Sequence, residues 1–475
     1  MNLIYNVKDK PKFSQTLVFA FQQLLAIMAA TIAVPAIVGH GMSASAALVG
    51  AGVGTLVYQL FTKFRSPVFL GSSFAFLGSM FAAFSGALTV EGLGFLGLIL
   101  GAAFAGLVYV VIAIIVKFVG VKWIGKLMPA VVIGPTVAII GLSLAGNAVG
   151  DMMTGDVAVI AEGAEAAVPV ASPLIALVCA LVTLFVVTLC STYGSKRIRL
   201  IPFIIGIIAG YIVALIFTLI GNAAEIDALK IIDFTPFKNL AADGVKLSTF
   251  VSLPDITVIK AWKGFSGLTP AYIGTIAVAY IPVAFVVFAE HIADHKNLST
   301  IIGKDLLEDP GLCRTLLGDG IGSFVGAIFG GCPNTTYGES IGCVAITGNA
   351  SVVSITCAAV LAVLIAFISP FVAFLDSIPA CVMGGVCMTL YGFIAVSGLK
   401  MLQPVDLNEN RNLFVASVIL IAGVGGLALE FALKNGQSNK RTTVACALIL
   451  GIITNLMLSG KKEQPGKEEP QQVIK

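Results

Sequence analysis

Three carboxylates stand where this chain is otherwise apolar. Glu290 and Asp294 close the run Phe285-Val286-Val287-Phe288-Ala289-Glu290-His291-Ile292-Ala293-Asp294. Four residues apart on a helix, they share one face and are separated by about 6 Å along the axis. The third, Glu339, lies in Gly330-Gly331-Cys332-Pro333-Asn334-Thr335-Thr336-Tyr337-Gly338-Glu339. Pro333 lacks the donor a helix needs and the glycines weaken one, so a continuous helix does not run through this stretch. A helix starting near Tyr337 would present unpaired N–H groups and a partial positive charge beside the Glu339 acceptor. A carboxylate at membrane depth costs at least about 2.5 kcal/mol, which argues for a function. No Lys or Arg lies well inside an apolar run to pair with these acids. They are therefore expected to receive a ligand rich in N–H donors, a cation such as H⁺ or Na⁺, or both in one cavity. At Asp294 the sequence turns polar, so an aqueous-facing position stays open for that residue.

The elements that must hold these groups are membrane spans. The chain has 475 residues, 58% hydrophobic and 11% charged, against roughly 25% charge in soluble domains. Apolar stretches of about 20 residues follow one another, and the short alternating segments of a β-barrel are absent. The expected fold class is an all-α polytopic membrane protein with about fourteen segments. They are placed at 15–38, 44–61, 67–84, 93–118, 127–149, 170–191, 200–221, 268–290, 314–330, 331–348, 351–371, 377–398, 411–432 and 441–459. A polar loop fills 222–267, and a polar tail 460–475. The third segment of each set of seven is interrupted: Pro67, Gly71 and Ser72-Ser73 in one, Pro333, Gly338 and Thr335-Thr336 in the other. Seven is odd, so the halves would insert in opposite orientations, and paired interruptions in inverted repeats point to a transporter's mid-membrane site. Basic clusters at Lys8–Lys12, Lys63–Arg65, Lys117–Lys126, Lys196–Arg199, Lys296–Arg314 and Lys400–Arg411 place both termini in the cytoplasm; Lys434, Lys440 and Arg441 are exceptions.

Other polar groups carry weaker signals. Gln22 and Gln23 interrupt the first span; Gln23 reads equally as an inter-helix hydrogen-bonder and as a site residue. His291 and His295, also four apart, lack the further ligands a metal site needs. Asp319 reads as a helix-end residue. The nine cysteines form no CxxC pair and read as small apolar fillers. No nucleotide-binding loop or hydrolase motif is present, so no cofactor, metal or enzymatic activity is expected.

Ala289-Glu290-His291, Gly303-Lys304-Asp305-Leu306-Leu307, Asp309-Pro310-Gly311-Leu312, Pro333-Asn334-Thr335-Thr336-Tyr337-Gly338-Glu339 and Gly71-Ser72-Ser73-Phe74-Ala75-Phe76 resemble the nucleobase–ascorbate transporter (nucleobase:cation symporter 2) family, specifically its bacterial uracil permease branch. The resemblance runs from about residue 12 to 460. It implies two inverted seven-segment repeats with short antiparallel strands in segments 3 and 10. It implies a core domain (15–118 and 268–371), a gate domain (127–221 and 377–459), an extracellular loop at 222–267 and a cytoplasmic tail at 460–475. It further implies uracil import with a cation, H⁺ first with Na⁺ open, a purine such as xanthine being the alternative cargo. Glu290 and Glu339 would accept the ring N–H groups, the backbone N–H groups of Phe74 and Gly338 would meet carbonyl oxygens, and Tyr337 would form an apolar wall. Proton coupling would involve Glu290, Asp294 and Gln23. The branch usually carries His where Asp294 stands, as Asp is usual in the purine branch; it often has Gln-His where Gln22-Gln23 stands, and the signature Asn is Ser340. Partners would be the nucleobase, the cation, the lipid bilayer of the cell membrane and a second copy in a homodimer, and no nucleic acid.

Overall fold

The computed structural model describes residues 3–459 apart from 88–89, 121–122, 124–127, 160–167, 197, 243, 428–429, 433–437 and 441–442. The tail expected at 460–475, and basic residues Lys122, Lys126, Arg197, Lys434 and Arg441, lie outside that set. The first helices are α1 (Phe13–Val38) and α2 (Ala44–Phe61), followed by strand β1 (Leu70–Ser72), α3 (Leu77–Ala87) and α4 (Leu93–Val119). Next come α5 (Ala130–Ser143), α6 (Ala145–Met152), α7 (Pro173–Tyr193) and α8 (Pro202–Ala223). The second half holds α9 (Pro270–Ile302), α10 (Leu312–Gly330), strand β2 (Asn334–Thr336), α11 (Gly338–Thr347) and α12 (Val352–Ile365). It closes with α13 (Ser369–Asp376), α14 (Ala380–Lys400), α15 (Asn410–Val424) and α16 (Thr443–Leu458). Among the described residues nine helices are long and apolar enough to cross a membrane, and four shorter apolar ones accompany them. The chain is a multi-pass helical membrane protein.

The structure departs from the expected layout in several places. The eighth span, expected to end at Glu290, continues to Ile302 as one helix. The polar run after Glu290 marks a change of surroundings and not a helix stop, and the stop is Gly303 in the left-handed conformation (φ 66°). The loop after Ala223 is not featureless: it carries short helical turns at Thr235–Leu240 and Thr257–Ala261.

Small residues set the packing around the broken segments. In α10, Gly318, Gly322, Gly326 and Gly330 recur every four residues on the side that meets α2, while Gly320 meets Gly106 of α4. Such stripes let helix backbones approach closely in lipid. A Cβ on Gly326 would lie 2.1 Å from Asn334 Nδ2 and 2.9 Å from Gly50 O. That amide is the group that donates to Gly50 O at 2.8 Å, tying β2 to α2. Gly326→Ala is therefore expected to lose roughly 1–3 kcal/mol through overpacking. The check is a lowered thermal midpoint of the purified protein; an unchanged midpoint would show that Asn334 can move without consequence.

The strands pair antiparallel with Leu70 opposite Thr336, Gly71 opposite Thr335 and Ser72 opposite Asn334. Ser73 N donates to Pro333 O at 2.9 Å and Tyr337 N to Phe69 O at 3.3 Å, extending the ladder at both ends. Leu70 N donates to Thr55 Oγ1 at 2.9 Å, and Phe69 N to Ser340 Oγ at 3.3 Å. Irregular backbone at membrane depth must find such partners within the protein. At one end of the structure Lys304 and Arg65 (2.8 Å) both reach Asp309 and hold its carboxyl down at about 2. The pairs are exposed and contribute little to stability.

Candidate functional site

A cavity of about 650 Å³ opens between α9 and α11 on one side and α5, α8 and α14 on the other. Its lining includes Glu290 and Asp294 from α9, Gly338, Glu339 and Gly342 from α11, and Leu390, Phe393 and Ile394 from α14. It reaches exposed Arg199 and Lys400. All three carboxylates identified in the sequence thus meet in one cavity. None has a Lys, Arg or His ion-pair partner among the described residues. Glu290 and Asp294 share a face of α9 because the helix does not break between them. Glu339 is in the first turn of α11, whose N-cap residue Tyr337 is extended (φ −107°, ψ 121°). The free N–H groups of that turn therefore accompany Glu339. Gly338 is exposed to the cavity, and a Cβ there or on Gly342 would meet nothing within 4 Å.

Other expected site residues sit behind this surface. Asp294 does not project alone: Thr336 Oγ1 donates to its Oδ2 at 2.6 Å, linking α9 to β2. Gln23 is buried and its Nε2 donates to Ser340 Oγ at 2.5 Å, joining α1 to α11. Tyr337 is buried off the cavity lining; its hydroxyl donates to Ser72 O at 2.6 Å and its ring covers Gly71, where a Cβ would lie 2.3 Å away. Only glycine fits at 71, and Tyr337 acts as a tie between the broken segments, not as a wall. Phe74 is also buried off the lining, with its ring edge-on to Tyr391 of α14 at 5.8 Å.

A second cavity of about 270 Å³ is lined by Ile32, Pro35 and Met42 from α1 and its following turn, and by Asp151, Asp156, Asp376 and Met383. Asp156 accepts from Ala380 N at 2.9 Å, and burial nonetheless pushes its carboxyl up to about 6. On α14 the second cavity ends at Met383 and the first begins at Leu390, so about 10 Å of helix separates them. The Phe74–Tyr391 contact lies at the Leu390 end of that stretch.

The sequence reading missed a buried polar cluster on the far side of α9. Asp319 is not at a helix end; it lies within α10, 1% exposed, 2.6 Å from His291 Nδ1. His295, also fully buried, is 2.7 Å from the Tyr58 hydroxyl. The paired histidines four apart were the available signal. No metal-binding group of three or more His, Cys, Asp or Glu side chains occurs among the described residues.

The fold and the cavity define a polytopic helical membrane protein with an acidic pocket at the start of α11, directly after the strand β2 that pairs with β1. The chain belongs to the Permease family, whose sequence profile matches residues 14–431. It is thus a transport protein and not an enzyme. It is 37% identical to the uracil permease of Bacillus caldolyticus over 462 residues, covering 97% of this chain and 96% of that one. It is 34% identical to the uracil permease of Escherichia coli K12, covering 95% and 93% respectively. Among solved structures it resembles the transmembrane domain of the cyanobacterial bicarbonate transporter BicA (TM-score 0.62, 14% identity, 94% of this chain and 99% of that one), a likeness of fold alone.

Proposed function

We propose that this protein imports uracil across the cell membrane by symport with a proton, through alternating access. The observation that carries the reading is the convergence of Glu290, Asp294 and Glu339, none of them ion-paired to a base among the described residues, with the Gly338 backbone on one cavity. Uracil is neutral and planar with alternating N–H and C=O edges. Glu290 and Glu339 accept its N–H groups; the N–H of Gly338, and that of Phe74 after a small rearrangement, donate to its carbonyls. Asp294 and Glu290 take the coupling proton, and Gln23 holds α11 in place through Ser340. The curated relatives named above as uracil permeases support this cargo.

In the same proposal the fourteen segments form two inverted repeats of seven. The parts 15–118 and 268–371 form a core that moves against a gate made of 127–221 and 377–459, and 222–267 is extracellular. Arg199 and Lys400 at the main cavity belong to the basic, cytoplasmic face. The cavity then faces inward with both termini on that side, and the smaller cavity beside Asp156 marks the closed outer path. Equal affinity in both states would move nothing; coupling requires the loaded protein to cross more readily than the half-loaded one. A homodimer is part of the reading.

The test is uptake of labelled uracil into proteoliposomes with acid outside, set against a sodium gradient. Concentrative uptake under the pH gradient alone supports the proposal. Uptake only with sodium replaces the ion. Asp294 standing where the uracil branch usually has His favours a second reading, a purine cargo. Xanthine uptake without uracil uptake in the same vesicles would establish that instead.

A further inference from the structure

Hydrogen-bond directions around His291 determine where a buried proton resides. Thr315 Oγ1 donates to Leu312 O at 3.1 Å, so its single hydrogen is committed. In that arrangement His291 Nε2, 3.0 Å from the same oxygen, is the donor of their bond. His291 Nδ1 is 2.6 Å from Asp319 Oδ2, and this bond needs one more proton, on one side or the other. Asp319 Oδ1 has no hydrogen-bond partner among the described residues. An unpaired carboxylate oxygen in this position would be far costlier than an unpaired carbonyl oxygen. Among the described residues the groups facing the pair supply no compensating cation: His295 stacked at 4.0 Å, Tyr109 of α4 edge-on at 6.1 Å, Tyr58 of α2 beyond His295, and Glu290 and Asp294 on α9 itself. His295 Nδ1 is occupied in donating to His291 O at 2.7 Å.

We propose that Asp319 is a protonated, neutral carboxylic acid whose Oδ2–H donates to His291 Nδ1, and that the resulting chain Asp319–His291–Thr315–Leu312 is a charge-free clasp fixing the rotation of α9 against α10. Its consequence is positional. His291 follows Glu290 directly, so locking the imidazole toward α10 turns Glu290 and Asp294 to the cavity. Asp319 and His291 are positioning residues in this scheme; neither lines the cavity. The positional consequence rests on the reading of Glu290 as a ligand-binding group, whereas the proton does not.

The test pairs two variants with a spectroscopic readout. Asp319→Asn replaces the O–H donor to Nδ1 with a neutral N–H donor and keeps a carbonyl in place of Oδ1. It should keep uracil affinity and the pH profile of uptake within about threefold of wild type, while Asp319→Ala should lose at least about tenfold in affinity. The infrared spectrum of the wild-type protein at neutral pH should contain a protonated-carboxyl band that is missing from Asp319→Asn. Absence of that difference would overturn the protonated state whatever the cargo proves to be. Asp319→Asn as impaired as Asp319→Ala, in folding or in uptake, would show that a charge or a mobile proton is needed and would overturn the clasp. A wild-type affinity in Asp319→Ala would overturn the positioning role.

Discussion

Glu290→Gln is expected to reduce uracil uptake to the background of empty vesicles while the protein remains folded. The change is nearly isosteric, so packing around α9 is preserved. What changes is chemistry: one acceptor oxygen becomes an N–H donor, and the charge that a coupling proton would neutralise is gone. Loss of a hydrogen bond to a charged group costs about 1.5–3 kcal/mol, which corresponds to roughly 10- to 150-fold in affinity. Where the amide donor faces a ring N–H, the repulsive pair adds to this. Uptake falls further than binding, because a variant that cannot exchange a proton at this position has no means of accumulating substrate against a gradient. Titration calorimetry on the purified variant and uptake into proteoliposomes separate the two effects. Glu339→Gln should show the same binding loss. Uracil accumulation at the wild-type rate in Glu290→Gln would remove the carboxylate from the mechanism. Wild-type binding with lost accumulation would keep it as a proton carrier only.

How much of this arrangement the amino-acid order reveals depends on whether a residue's role is local. The broken segments were legible because Pro333 and the glycines leave no other option for backbone at membrane depth. The two strands pair as expected, with Gly71 opposite Thr335. Glu290 and Glu339 were legible because charge in an apolar run has no indifferent position; Asp294, where the sequence turns polar, was left open, and all three line one cavity. The end of α9 was not legible: hydropathy reports what surrounds a helix, while its stop, Gly303, lies a further thirteen residues along. Asp319 was misread for a related reason. A single acid between glycines fits a helix end as well as a buried bond, and its partner His291 is 28 residues away. Tyr337 is similar: the family resemblance implied a wall, but the space beside it is set by the bare backbone of Gly71 on the opposing strand, a contact created only by the β1–β2 register.

Gly342→Trp is expected to abolish transport while sparing the fold. Many of the described glycines sit where another backbone presses against them, as at Gly50, Gly326 and Gly398. Gly342 differs: it lines the cavity, and a Cβ there meets no atom within 4 Å. A side chain at 342 therefore enters open space and not the protein interior, so thermal stability should hold. The position is one helical turn, about 6 Å, from Gly338, which leaves room for a small planar ligand at Glu339. Closing the cavity is another matter. If alternating access brings α11 toward Leu390, Phe393 and Ile394, an indole at 342 occupies the space that must vanish. A closed state penalised by about 3 kcal/mol falls to roughly a hundredth of its former population, and turnover falls with it. Uracil binding to the purified variant should change far less than uptake into vesicles. Equal losses of both would mean that Gly342 bounds the substrate itself. Undiminished uptake would mean that this cavity does not close during transport, and the alternating-access proposal for this protein would fall with that result.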